Sequence, residues 1–285
     1  MKSLSTTFRY TFRGLRGQTI GWGLGLALYG LLIVSMYDSM AAQQETLQQM
    51  ISSYPEEFLA FFGGDAHSLV TPAGFLGMYA FSMMPLIIGI FAVLTGSGLI
   101  ASDEERGRLD LIITHPVGRT AFFFGRALGV FAACLVIMLL GWLGFSLMLG
   151  RSTLGFTWGE MLVPFVSLLA QTLVYVALGL LLSMLLPSRG LSAMLTGLLL
   201  VTSYFVSSLS FMDERLAALA KLMPYHYFQT ALSFAELNLS WLFALLGAAA
   251  LMTLLAWLRF LRRDIRLSGE GSWRLPWLAR RRGTV

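Results

Sequence analysis

The residues able to do chemistry are few and scattered. The three histidines, His67, His115 and His226, all fall between the long apolar runs and far from one another. A zinc site needs His, Cys or carboxylate ligands clustered at short spacing, and no such cluster exists in the sequence. The one cysteine, Cys134, lies inside an apolar run, so it has no internal disulfide partner and its expected role is packing. An intramembrane serine protease needs Gly-x-Ser-Gly in one span and a histidine in another. Gly190-Leu191-Ser192-Ala193 is only a partial match at the end of an apolar run. No GxxxxGK[ST] phosphate loop occurs, so ATP is not bound by that device. The residues do not describe an active site.

What does stand out is a charged island, Asp103–Arg126, between two of the longest apolar runs. It holds four of the 15 acidic and four of the 20 basic residues. Leu109, Ile112 and Ile113 fall on one side of a helix, with Arg106, Arg108 and Asp110 largely elsewhere. Pro116 stops that helix, and Gly118 with Thr120 offers a turn and a new start. A short surface helix closed by a proline turn is suited to docking.

The elements that must hold this island are set by composition. The chain has 285 residues, 56% hydrophobic and 12% charged, about half the charge of a soluble protein. Too little polar surface remains to cover a water-soluble globule, so the solvent is mostly lipid. The apolar runs are continuous and about 20 residues or longer, which makes them helices rather than the alternating strands of a barrel. The fold class expected is therefore an all-α integral membrane protein, a single domain with six spans near 18–38, 73–101, 124–149, 161–186, 191–211 and 238–258. The charge-free run Leu69–Ser102 exceeds one bilayer crossing and should tilt, kink at Pro85 or continue past the interface. Gly21 and Gly25 have the GxxxG spacing that permits close helix contact. No Asp, Glu, Lys or His falls in the middle of any span, which counts against an ion-coupled carrier.

Residues 1–17 read as an interfacial helix, with Leu4, Phe8, Phe12 and Leu15 on one face and Arg9, Arg13 and Arg16 on another, lying flat on an anionic leaflet. The following run, Gly17–Tyr37, is longer than the apolar core of a signal peptide, although Ser39 and Ala41 make a weak small-x-small match. With both termini in the cytoplasm, 17 basic residues lie inside and only Arg151, Arg215 and Lys221 outside, a decisive positive-inside bias. The island is then cytoplasmic, followed at the far end by a basic tail, 259–285. The net charge of +5 needs no nucleic-acid partner. Outside, 39–68 is an acidic loop. Residues 213–236 form an amphipathic, aromatic re-entrant segment broken at Pro224, in which Leu216, Leu219, Met223 and Phe228 dip into the interface.

Six spans, a basic N-terminal helix and a re-entrant segment before the last span resemble the permease subunit of ABC-2-type exporters (type V, ABCG/ABCA-like). The island resembles that family's loop after span two at Glu105, Gly107, Leu109, Pro116, Val117, Arg119, Gly125 and Arg126, with arginine in place of the usual lysine at the last position. The resemblance implies that Asp103–Thr114 is a coupling helix docking on a separately encoded ATP-binding cassette ATPase, through Glu104, Glu105, Arg106, Gly107, Arg108, Leu109, Pro116 and Arg119. It implies a non-catalytic subunit of the prokaryotic plasma membrane, with ATP and Mg bound by the partner and no cofactor in this chain. A second permease subunit, identical or related, would complete the pathway. Spans two and five would line it, making Met83, Met84, Ser203, Ser207 and Ser208 possible lining residues. Serines in a membrane helix equally serve helix contacts. Leu216, Met223, Pro224, Tyr225 and Phe228 would belong to an extracellular helix over the pathway. The rival class is an ATP-independent carrier or a structural membrane protein.

Overall fold

The computed structural model describes residues 2–43, 49, 71–105, 107, 118–211, 213–230 and 237–262, and every regular element among them is helical. Six helices are long and apolar enough to cross a membrane. The first, α1, runs from Lys2–Ala41 as one rod of 40 residues, about 60 Å at 1.5 Å per residue. This departs from the expected flat interfacial helix followed by a separate span. No proline or cap interrupts the rod near Gly17, and the hydroxyls of Thr7, Thr11 and Thr19 each donate to the carbonyl four residues back, at 2.9, 2.9 and 3.0 Å. Phe12 and Leu15, on the apolar side of this segment, pack against the protein core, while Arg9, Arg13 and Arg16 face outward. The amphipathic pattern is thus used against protein on one side.

The partner of α1 is α5 (Arg119–Leu147), which lies parallel to it along most of its length. Small residues allow the approach. A methyl group on Gly144 would sit 2.3 Å from the Ala27 Cα, inside any real contact distance. Gly21 and Gly25, in contrast, have nothing within 4 Å of an added Cβ, so their spacing is not used for contact within this chain.

Span two is built in pieces. Thr71 caps a short α2 (Pro72–Leu76), accepting from the Gly74 amide at 3.1 Å, with Pro72 at the position where a missing N–H costs least. A π turn, Gly77–Phe81, follows, and then α3 (Met84–Gly98) with Pro85 in its first turn. A short α4 (Ala101–Glu105) continues at the C-terminal end of the span. The loop after α5 leads to α6 (Trp158–Leu185), opened by a capping box between Thr157 and Glu160. A tight turn then gives α7 (Arg189–Leu209), where the Ser188 hydroxyl accepts from the Leu191 amide at 3.2 Å. The segment after α7 (the outer turn, named for its expected side) folds as a 3-10 turn (Glu214–Leu216), a single-turn α8 (Ala217–Ala220) and a second 3-10 turn (Pro224–Tyr227) before α9 (Leu239–Arg262).

The core lies where α3, α5 and α6 meet. The rings of Phe81, Phe145 and Phe165 stand pairwise 5.5 Å apart and join spans two, three and four. Nearer the C-terminal end of span two, α3 and α6 touch backbone to backbone: a methyl on Gly96 would lie 2.4 Å from the Val176 carbonyl oxygen. Cys134 is buried as a free thiol in this core.

Gly144→Val forces α1 and α5 apart at a point where the obstacle is backbone, at about 1–3 kcal/mol for overpacking. The melting temperature of detergent-purified protein should fall for Gly144→Val and stay unchanged for Gly21→Val, which enters open space. Equal behaviour of the two variants would contradict the packing described.

Candidate functional site

The charged island, 103–126, begins in α4 and ends two turns into α5, so its two roots are defined. Arg106, Arg108, Leu109 and Pro116 lie outside the described residues. Gly107 is described, and its backbone has φ +64°, left-handed geometry that favours glycine. Its amide donates to the Glu104 carbonyl at 3.0 Å, ending α4 in one turn.

Three ties fasten the roots to the spans. The first is an ion pair between Asp103, in α4 at the C-terminal end of span two, and Arg126, two turns into α5; each side chain is only 10% exposed. The Arg126 guanidinium also lies over the Tyr10 ring of α1, 5.5 Å from its centroid, and over the Phe122 ring at 5.3 Å. A flat, delocalised cation can stack on two rings while its edge meets a carboxylate, which an ammonium does less well. Arginine in place of the family's lysine therefore suits this environment. One cation thus joins spans one, two and three.

The second tie is Glu105, whose Oε1 accepts from the backbone amide of Arg189 at 3.0 Å. Arg189 is the first residue of α7, so a carboxylate sits where the helix dipole and unpaired amides favour negative charge. The Arg189 guanidinium lies over Gly98, 2.9 Å from where a Cβ would stand. The third tie is Arg119, whose Nη1 donates to the Leu261 carbonyl at 3.3 Å, in the last turn of α9. A cation at a helix C-terminus is the matching arrangement. Beneath it Phe122 and Phe123 pack on Phe260, with centroids 6.2 and 5.8 Å apart, and Phe124 packs on Trp257 at 5.5 Å. Glu104 is half-buried beside these groups.

The remaining candidates lie toward the other end of the spans and do not gather on one surface. Met83 is 44% exposed and Met84 is 0% exposed, so the two face opposite ways. Ser203, Ser207 and Ser208 are buried, while Leu198, Val201 and Phe205 form the exposed side of α7. The serine stripe thus faces the chain's own interior, and the Ser203 hydroxyl accepts from the Tyr225 amide at 2.9 Å. Leu216, Met223, Pro224 and Tyr225 are half-buried and Phe228 is buried. Behind them, Gln229 donates from its amide to the Ser167 hydroxyl at 3.0 Å and exchanges two hydrogen bonds with the Asn238 backbone. The sequence reading placed Asp103 in the expected coupling helix but did not pair it with Arg126, and it gave Tyr10 no part in the site. The usable signal was opposite charge where two consecutive spans meet the island.

A family model described as "ABC-2 family transporter protein" matches residues 12–265. The chain belongs to the ABC-2 transporter family. It is a multi-pass permease subunit of an ABC transporter, a membrane transport component whose partner is an ATP-binding cassette ATPase. No curated protein matches the chain.

Removing one member of a buried ion pair leaves the other charge uncompensated, at about 3–5 kcal/mol. Arg126→Ala should therefore lower thermal stability strongly. Arg126→Lys keeps the charge but loses the double stacking and should fall between that variant and the unaltered protein. A melting temperature for Arg126→Ala equal to that of the unaltered protein would show that the pair is not formed.

Proposed function

We propose that this permease forms half of the translocation pathway of an ATP-driven exporter in a prokaryotic plasma membrane. In this reading both termini are cytoplasmic, a second subunit (identical or related) completes the pathway, and the island 103–126 receives the movement of the ATPase. The observation that supports it most is the triple tie at the island's roots. A docking segment passes a displacement into the membrane only if its roots are held to the spans more firmly than they bend. Asp103–Arg126–Tyr10, Glu105–Arg189 and Arg119–Leu261 attach these roots to spans one, two, three, five and six.

Closure of two ATPase subunits on ATP and Mg, both held by the partner, pushes on the segment containing Arg106, Gly107, Arg108, Leu109 and Pro116. Glu104, Arg106 and Arg108 supply polar, steerable contacts to the docking surface. The push reaches α7 through Glu105 and α9 through Arg119, so the inner ends of the spans move as bodies rather than deforming one by one. The apolar exposed sides of α3 (Ile87, Ile90, Leu94) and α7 (Leu198, Val201, Phe205) are the surfaces available to a second subunit or to a greasy cargo. Ser203, Ser207 and Ser208 join the pathway once the outer turn above them lifts.

The test is co-purification with the ATPase encoded beside it, followed by ATPase and transport assays in lipid discs. Gly107→Pro cannot adopt φ +64°, because the ring holds φ near −65°. Glu105→Lys places a cation against the N-terminus of α7. Both variants should insert normally and lose most transport without a matching loss of ATP hydrolysis. If both transport at the unaltered rate, the coupling assignment is wrong.

A further inference from the structure

Span two is interrupted about a third of the way in from its outer end, and the interruption leaves carbonyls without helical donors. The Ser82 amide reaches back five residues to the Gly77 carbonyl at 2.8 Å, the signature of a π turn. Pro85 has no N–H to give to the Phe81 carbonyl. The Leu86 amide, which in a regular helix would serve Ser82, donates to Met83 instead at 3.1 Å, and the Ile87 amide shares that acceptor at 3.1 Å. The Ser82 carbonyl is thereby released from the helix ladder. In hydrocarbon an unserved carbonyl costs several kcal/mol, so another donor has to be found.

Three hydroxyls serve the carbonyls at the break. The Ser82 hydroxyl donates to Met78, and the Tyr29 hydroxyl, from α1, donates to Tyr79. The Tyr225 hydroxyl, from the outer turn, donates to the Ser82 carbonyl at 2.9 Å. Tyr225 is itself held from the other end, because its amide donates to Ser203 on α7 and its ring meets Tyr204 edge-on at 5.1 Å. It therefore spans from α7 to the break in span two, across a distance that no other described hydrogen bond of the outer turn covers.

We infer that Tyr225 is the positioning residue for the outer third of span two. Its hydroxyl sets the angle at which Pro72–Phe81 leaves α3, and the outer turn thereby controls where the mouth of the permease stands. Tyr29 fixes the same segment from the α1 side. When Tyr225 withdraws, Pro72–Phe81 is free to swing about the 82–85 break while α3, packed on α6, stays in place. The same withdrawal uncovers Ser203. The inference rests on the permease reading for its use in transport, but the bend itself is a property of this chain alone.

The experiment uses spin labels attached through Ala73→Cys, at the outer end of span two, and Leu162→Cys, on the outer part of α6, in a Cys134→Ala background, reconstituted in lipid discs without the ATPase. Pulsed-dipolar spectroscopy should give one narrow distance for the parent. Tyr225→Phe removes a single oxygen and should shift or broaden that distance. Tyr227→Phe, whose hydroxyl donates to Lys221 within the turn at 2.8 Å, should leave it unchanged. A Tyr225→Phe distribution superimposable on the parent overturns the inference, whether or not the melting temperature falls, because a purely structural hydrogen bond costs stability without moving the segment. Since neither ATP nor cargo is needed, a failure of the coupling assignment leaves this result untouched.

Discussion

Two opposite charges buried where span two ends and span three begins constrain everything around them. An arginine removed from water is tolerated only when paired, and breaking such a pair costs more than forming it gains. Asp103 can reach Arg126 only if α4 continues the line of span two and α5 begins beside it. The guanidinium can cover Tyr10 only if α1 continues inward past the apolar run as an upright rod. The ion pair thus fixes three elements at once. It also explains why the rod is not bent flat at Gly17: the inner turns of α1 are needed as a wall of the Arg126 site, and α5 offers Gly125 and Gly129 to receive them.

The two ends of the molecule solve the same problem of unpaired backbone groups with opposite consequences. At the island end, charged side chains meet helix termini, Glu105 at the start of α7 and Arg119 at the end of α9, and the result is a stiff base. Toward the opposite end, hydroxyls meet carbonyls freed by a π turn and a proline, each a neutral hydrogen bond worth about 1 kcal/mol in a bilayer when the freed carbonyl finds another donor. Those are weak enough to be exchanged. A stiff base and an adjustable mouth are what a machine driven from one side requires.

The six spans were legible because lipid imposes continuous apolar runs of bilayer length. The family was legible from six spans and from the island's spaced glycine, leucine, proline and arginine. What could not be read was pairing. Asp103 and Arg126 become neighbours only after two helices antiparallel to each other are docked. The amphipathic stripe of Leu4, Phe8, Phe12 and Leu15 has the same period whether it meets lipid or α5, so sequence favoured a flat helix where the structure has a rod. The serines of α7 were correctly placed on one face, but periodicity does not say which neighbour that face meets. The π turn has no sequence signal beyond Pro85, since Gly77–Phe81 are ordinary helix residues.

The central claim is that the inner ends of spans two and three, bound through Asp103 and Arg126, move together under the ATPase. The direct test is the distance between spin labels attached through Ser102→Cys and Leu128→Cys, in a Cys134→Ala permease assembled with its ATPase. It should be measured without nucleotide and again after trapping with ATP and vanadate. A separation unchanged between the two states in the parent, and made variable by Arg126→Ala, is the expected result. A separation that changes with nucleotide in the parent would mean that the two spans move independently, and the rigid-base account would fail.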